Sequence, residues 1–358
     1  MGVDLGELTP RHASSLEEIA GKRLAVDAYN TLYQFLTIIR SPDGTPLMDT
    51  KGRITSHLAG LLYRTSSLVE LGVQPVFVFD GKPPRLKHAE LDTRSERKVV
   101  AQKAYQAARE AGDTQQAYVK AKQAARLTRD MVEQAKRLLD LLGVANFTAP
   151  SEGEAQASHM ATKGDVWAVC SQDYDCLLFG APRLVRNVTI TGKRKMPGAK
   201  ATIDVVPERV ETGEVYASLG LRREQLIDVA LLVGTDFNAG IHGLGPRKAL
   251  ALVQQHGSLE GIYDAVKAET IKRDSALYRY LVEGRQGLGP YEEIRKLFLE
   301  PEVTDSYRLE PRAMDEQAVL AMLVDDHQFS RDRVLGALEK FRASPQTKKQ
   351  RSLDQFFG

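Results

Sequence analysis

Residues 74–84 read QPVFVFDGKPP. The run Pro75 to Phe79 is apolar and rich in β-branched and aromatic residues. It stops abruptly at Asp80, followed by Gly81, Pro83 and Pro84, which neither a strand nor a helix continues through. The stretch therefore predicts a buried strand with a carboxylate at its carboxyl end. Working outward, KRLAVDAY (22–29) predicts a shorter strand ending at Asp27, and DVWAVCSQD (165–173) a third that leads into Asp173. Helical patterns lie between them, at 54–71 and in an Ala/Gln/Lys/Arg-rich stretch from about 90 to 142, whose break at Gly112-Asp113 predicts two or three helices standing off the sheet. After residue 220 the pattern is mainly helical, with one amphipathic helix expected over SLGLRREQLIDVALLVGTDF (218–237), ending at Gly234. Continuous apolar strands alternating with helices predict an α/β fold, a central mostly parallel sheet flanked by helices. Ligands of such sheets bind beyond the carboxyl ends of the strands, which is where all three aspartates fall.

Composition narrows the class. The chain has 358 residues, 42% hydrophobic and 27% charged, as in an ordinary soluble protein. There is no apolar run of roughly 18 residues and no secretory pattern at MGVDLGELTPRH. A cytoplasmic protein without a membrane partner is expected. Cys170 and Cys176 are too few for a disulfide framework or a cysteine-rich zinc site. The net charge of +2 hides a division. Residues 82–137 hold 14 Lys and Arg against 7 Asp and Glu, a net of +7, leaving −5 for the remainder. A basic block of this kind predicts either a solvated helical face or a surface for a polyanion.

The acidic residues at element ends are Asp27, Asp80, Glu152 and Glu154 in APSEGEA, Asp173 and Asp175 in SQDYD, and Asp236 in GTDF. Taken singly, each also suits a turn or a helix start. Seven converging carboxylates would repel one another unless divalent cations neutralised them. Oxygen donors without His or Cys select magnesium or manganese over zinc. Two such ions about 4 Å apart are the usual clamp for in-line displacement at phosphorus.

Further along, GIHGLGPRKA (240–249) carries Gly243 and Gly245 into a helix with Arg247 and Lys248 in its first turn. Glycines let backbone N–H groups approach phosphate, and the helix N-terminus adds positive potential. A helix-hairpin-helix that grips a duplex backbone has this form, as does a plain packing corner. Lys87, Arg94 and Arg97 follow Asp80 closely enough for basic side chains to reach a phosphodiester held beside it. Tyr33, six residues beyond Asp27, suits either base stacking or the core.

These motifs carry a resemblance. AVDAYNTLYQFL, VFVFDGKPPRLK, RSERK, APSEGEAQAS, SQDYDCLLFG, LLVGTDFNAGIHGLGPRKAL and the tail QRSLDQFF, in this order and spacing, resemble the archaeal flap structure-specific endonucleases of the structure-specific 5′ nuclease family over nearly all of 1–358. The resemblance implies a PIN-like nuclease domain over 1–340, with a helical gateway or arch at 82–135 and a helix-two-turn-helix at 222–260. It implies two Mg2+ ions, replaceable by Mn2+, one held by Asp27, Asp80, Glu152 and Glu154 and the other by Asp173, Asp175 and Asp236. Lys87 and Arg94 match the family's basic gateway pair and Tyr33 its stacking aromatic. The amine of Gly2 would lie near the site, and Thr55 falls where the family holds a one-nucleotide 3′ flap. Relatives that bind K+ in the helix-two-turn-helix can use a serine where this chain has Gly240, which leaves backbone carbonyls for that ion. The implied activity is cleavage of branched DNA near the base of a 5′ flap, with 5′-3′ exonuclease activity, in Okazaki-fragment maturation and base excision repair. Residues 341–358 would form a flexible tail in which Gln350, Leu353, Phe356 and Phe357 bind a trimeric sliding clamp, the chain itself being a monomer.

Two other classes predict different sequences. A catalytically silent DNA-binding scaffold predicts lost carboxylates, and all seven are present. A phosphatase working through an aspartyl-phosphate predicts a D-x-D motif after the first strand. Here that strand ends Asp27-Ala-Tyr, and the D-x-D, Asp173 and Asp175, follows the third.

Overall fold

The computed structural model describes residues 2–41, 44–111, 113–195, 202–268, 276–279, 281 and 289–344. In chain order the strands among them are β1 His12–Ala13, β2 Arg23–Asp27, β3 Gln74–Phe79, β4 Asn146–Thr148, β5 Ala168–Cys170, β6 Arg183–Arg186, β7 Gly192–Lys195, β8 Thr202–Val205 and β9 Glu208–Glu211. The helices are α1 Leu16–Ile19, α2 Ala28–Ile38, α3 Ser56–Glu70, α4 His88–Glu110, α5 Thr114–Gln123, α6 Arg129–Leu141, α7 Gly153–Lys163, α8 Asp175–Leu178, α9 Thr212–Leu219, α10 Arg223–Val233, α11 Pro246–His256, α12 Leu259–Lys267, α13 Ala276–Tyr278, α14 Gly289–Leu299, α15 Glu316–Leu320 and α16 Arg331–Ala343.

Seven strands form one sheet in the order β1-β9-β6-β5-β2-β3-β4. β2 pairs in parallel with β3, Asp27 opposite Val78, and with β5, Leu24 opposite Ala168. The β3–β4 and β5–β6 ladders are also parallel, whereas β9 runs antiparallel to both β6 and β1. The chain builds outward from β2 to β3 and β4, then returns to the other side of β2 for β5 and β6. The crevice left where that direction reverses lies at the carboxyl ends of β2, β3 and β5.

The continuous apolar character of the strands follows from burial on both faces. Leu24, Val26, Phe77 and Phe79 enter one core with α3, α6 and α16, while Ala25, Val76, Val78 and Val169 enter another with α7, α8 and α10. Residues alternate between the two, as the pleat requires.

The helix expected from 218 is two helices. α9 ends at Leu219 with Gly220 in the left-handed region at φ 63°, and α10 begins at Arg223 and stops at Gly234. A glycine in that conformation satisfies the last carbonyls of a helix and ends it. The apolar period continues on both sides of Gly220, which hides the break. Within 82–135, α4 and α5 pack on each other, whereas α6 puts Val132, Ala135, Leu138 and Leu139 into the core. The α4–α5 pair meets the body where Lys98 Nζ lies 5.4 Å from the centre of the Tyr33 ring and where Arg40 Nη2 donates to the Ala121 carbonyl at 3.1 Å. No helix among the described residues is long and apolar enough to cross a membrane. Gln350, Leu353, Phe356 and Phe357 lie outside the described residues.

Candidate active site

All seven acidic residues stand at the carboxyl edge of the sheet, each delivered by a different local device. Asp27 closes β2 and caps α2, its Oδ1 accepting the Asn30 N–H at 3.0 Å, so a capping role does hold for one of its oxygens. Its Oδ2 lies 3.0 Å from the Ser171 hydroxyl. Asp80 follows β3, and its Oδ1 accepts the Gly153 N–H at 2.7 Å. A Cβ at residue 153 would come within 2.8 Å of that same oxygen, so the glycine allows a close approach. Glu152 precedes α7 without capping it, and its Oε2 instead lies 2.5 Å from Lys87 Nζ. Glu154, in the first turn of α7, turns inward to the Ser171 hydroxyl at 3.2 Å. Asp173 accepts from Asn30 Nδ2 at 3.1 Å. Asp175 opens α8, its Oδ1 accepting the Val3 N–H at 2.7 Å. Asp236, in the turn after α10, accepts the Gly2 N–H at 3.1 Å, and its other oxygen is 3.5 Å from Lys87 Nζ.

The electrostatics show that these groups share one field. Burial, then Asp80 and Asp173, pushes the Asp27 carboxyl up to about 8. Burial, then Asp236, pushes Asp175 up to about 7. Burial also raises Asp80, Glu152 and Glu154, the last well above the usual carboxylate range with Asp173, Asp27 and Asp175 adding to it. Burial alone would lower Lys87, but Glu152, Asp236 and Asp80 outweigh it and hold the ammonium charged. The Lys87 ammonium thus offsets part of the charge of Glu152, Asp236 and Asp80, and more weakly that of Glu154 and Asp175.

Among the described residues, no three His, Cys, Asp or Glu side chains close around a single point as a ready-made metal cage. The donor chemistry nevertheless fits a hard divalent cation. The donors are oxygens, five of the carboxyl groups are pushed toward protonation by burial and then by their like-charged neighbours, and the cation beside them is an ammonium, where a metal would relieve the same charge. Cys176 Sγ is 3.9 Å from Glu154, and burial, then Glu154 and Asp27, raises its thiol well above its usual value.

These raised carboxyl groups make stability depend on pH. Asp27 and Asp175 bind protons more tightly folded than unfolded, where an aspartate titrates near 3.9. The native state therefore binds more protons between about pH 4 and pH 8, and stability without metal must fall as pH rises through that window. The Tm in EDTA should fall between pH 5 and pH 8, and the Mg2+ concentration needed to restore it should drop over the same range. A Tm in EDTA that rises steadily to pH 8 would contradict this account of the cluster.

The basic, aromatic and glycine candidates are spread more widely. Lys87 ends a short turn at Arg85–Lys87 and is in the cluster. Arg94 and Arg97 fall on α4, and their side chains lie outside the described part of the structure. Tyr33 is half-buried on α2. Thr55 is buried before α3, its N–H donating to Leu47 O at 2.7 Å. Gly243 has φ 79° and open space around it, Gly245 caps α11, and Lys248 is exposed. The Arg247 guanidinium is 3.1 Å from Glu7 Oε2. A Cβ at Gly240 would lie 2.2 Å from the Val233 carbonyl, so glycine is required there.

Sequence reasoning missed Asn30 and Ser171, which orient Asp27, Asp173 and Glu154, and the pairing of Lys87 with Glu152. Asn30 sits one helical turn past Asp27 and Ser171 two residues before Asp173, so their spacing was a usable signal. The Lys87 contact spans 65 residues and had none.

Comparison with known proteins places this geometry. Residues 4–101 match the XPG N-terminal domain and residues 143–236 the XPG I-region. The chain is 49% identical to Flap endonuclease 1 of Archaeoglobus fulgidus over 357 residues, all of both chains, and 47% identical to that of Pyrococcus furiosus, covering 100% of this chain and 99% of the other. Among solved structures it resembles flap endonuclease-1 from Methanococcus jannaschii, with a TM-score of 0.72 and 40% identity over 95% of this chain and 98% of that one. The catalytic core of Rad2 in complex with DNA substrate shares the fold, with a TM-score of 0.67 at 24% identity over 94% of this chain and 100% of that one.

Proposed function

The chain belongs to the flap endonuclease 1 family, and from that premise we propose how its residues perform structure-specific hydrolysis of a phosphodiester in branched DNA bearing a 5′ flap. The observation that carries the proposal is the gathering of seven carboxyl groups at the crevice of the sheet, linked by shared burial and mutual charge, with the Lys87 ammonium against Glu152, Asp236 and Asp80. Asp27, Asp80, Glu152 and Glu154 would hold one Mg2+ or Mn2+ ion, and Asp173, Asp175 and Asp236 a second. When bound, the ions supply positive charge to the phosphate oxygens and lower the pKa of the attacking water. Asn30 and Ser171 keep Asp27, Asp173 and Glu154 oriented. Lys87 exchanges Glu152 for a phosphate oxygen, and Arg94 assists it from α4 in stabilising the charge that develops in the transition state. Tyr33, released from Lys98, stacks on a base of the flap. Arg97 lies along the same strand path, Thr55 near the end of a one-nucleotide 3′ flap, and Gly2 beside the reacting strand.

The duplex is gripped through the N–H groups near Gly243 and Gly245 and through Arg247 and Lys248. A K+ ion at this turn would rest on backbone carbonyls, Gly240 having neither a hydroxyl nor room for one. Arg247→Ala with Lys248→Ala is expected to weaken duplex binding and to lower the slope of log K against log salt by about one for each phosphate that the protein no longer meets. An unchanged slope would mean that neither side chain meets the backbone.

The tail would dock through Leu353, Phe356 and Phe357 as an apolar plug, with Gln350 as its polar anchor, in a trimeric sliding clamp. Joint replacement of both phenylalanines by alanine should abolish binding to such a clamp in calorimetry and leave clamp-free cleavage intact. Binding at wild-type strength would assign the docking elsewhere. These features suit an enzyme of Okazaki-fragment maturation and base excision repair, monomeric by itself and acting in the cytoplasm, with 5′-3′ exonuclease activity at the same site. The direct test is cleavage of a labelled double-flap substrate in Mg2+ and in EDTA. A single cut near the junction in Mg2+ and none in EDTA is the expected result, and metal-independent cutting would overturn it.

A further inference from the structure

The start of α7 carries Glu152 and Glu154, yet the side chain of its N-cap residue, Glu152, does not cap that helix. Two contacts near its start fix it instead: the Gly153 N–H on Asp80, and the first helical bond, from the Gln156 N–H to the Glu152 carbonyl at 3.2 Å. Gln156 is fully buried, and its side chain reaches a segment 148 residues away. Its Nε2 donates to the Thr304 carbonyl and its Oε1 accepts the Thr304 N–H, both at 2.8 Å. A side-chain amide carries a donor and an acceptor side by side at any pH, which lets it both donate to and accept from the backbone of one residue. A fully buried amide with both ends satisfied holds its helix in one position, because any slip leaves several polar groups unpaired.

Thr304 lies on the stretch that follows α14, and α14 packs beneath the other carboxylates. The Phe298 ring of α14 lies tilted against Phe179, next to α8 with Asp175, at 4.9 Å between centres, and edge-on to Phe237, the residue after Asp236, at 5.4 Å. Arg223 of α10 donates to the carbonyls of both Leu178 and Phe298. Arg295 of α14 meets Asp228 of α10, which also accepts the Leu259 N–H at the start of α12. One continuous segment, 289–307, therefore braces the elements that bear Asp175 and Asp236, and Gln156 extends it to the turn bearing Glu152 and Glu154.

We infer that Gln156 is a positioning residue that sets Glu152 and Glu154 against the other carboxylates through Thr304, so that divalent-ion affinity depends on this remote pair. The inference rests on the proposed metal-binding role of the cluster. The nearby contacts of the same segment, His159 and Lys163 with Asp305, are exposed and lie further along α7. They tie the segment down without touching the first turn.

The test uses the full chain and manganese chloride alone. Gln156→Met keeps the volume and removes both bonds. The rise of Tm with Mn2+ concentration reports ion affinity without turnover. Gln156→Met is expected to require about tenfold more Mn2+ for the same rise, the loss usual when an outer partner of a metal ligand is removed, with flap-DNA affinity in EDTA unchanged. His159→Ala with Lys163→Ala should lower Tm in EDTA but leave the Mn2+ dependence at its wild-type position. Should Gln156→Met fail to fold, Gln156→Asn, which draws the amide back by one methylene, reads the same quantity. Wild-type Mn2+ dependence in the folded Gln156 variant, or an equal shift in the double variant, would overturn the inference. Absence of any Mn2+-dependent rise in the wild type would instead overturn the metal-binding proposal itself.

Discussion

Asp175→Asn is expected to lower single-turnover cleavage by at least about 10²- to 10³-fold, the scale seen when one group that stabilises transition-state charge is removed, while flap-DNA affinity stays near wild type. Asparagine keeps an oxygen at the position that accepts the Val3 N–H, so the N-terminal segment retains its anchor. What is lost is the charge. Asp175 is buried, its carboxyl pushed up to about 7 by burial and then by Asp236. Neutralising it relieves that repulsion, so metal-free stability at pH 8 should rise while activity disappears. Stability and activity moving in opposite directions separates a functional carboxylate from a structural one, whose loss lowers both. Asp80→Asn should behave alike, since its Oδ1 acceptor for the Gly153 N–H is also preserved. Cleavage by either variant within about tenfold of wild type would remove the assignment, because a lost metal ligand acts on the transition state itself.

Lys87→Ala is expected to lower the single-turnover rate by a similar factor of about 10²–10³ with a much smaller change in DNA affinity. A group that gains its partner only in the transition state contributes little to ground-state binding. The structure adds a second readout. In the free protein Lys87 occupies the carboxylate cluster, 2.5 Å from Glu152 and 3.5 Å from Asp236, and so competes with any divalent ion for the same charge. Its removal should therefore tighten Mg2+ binding and lower metal-free Tm at pH 8, where the carboxylates lose the ammonium that compensates them. A slower enzyme that holds metal more tightly is the distinguishing result. If affinity for DNA falls while the rate per bound complex is unchanged, Lys87 is an ordinary phosphate contact.

Strand existence and the edge on which the chemistry falls were determined by local sequence. VFVF before Asp80-Gly81, LAV before Asp27 and VWAVC before Asp173 are each short apolar runs cut by breakers. Such runs need only their own composition to be buried as parallel strands. The glycine and basic residues of 240–249 were legible for the same reason, since a helix start is decided within about one turn. Gly220 shows where local pattern misleads: the apolar period runs through it, and only the left-handed backbone reveals two helices.

The tertiary structure alone decided what stands beside what. Spacing does not show that Glu152 faces Lys87 rather than capping α7, that the second oxygen of Asp27 meets Ser171, or that Gly2 and Val3 lie on Asp236 and Asp175. These contacts join residues between 65 and 234 positions apart. They exist because the strand order reverses at β2, folding distant loops onto one crevice. The raised carboxyl groups have the same origin. An aspartate is an ordinary acid in any isolated segment, and becomes reluctant to ionise only when burial and like-charged neighbours are imposed on it together.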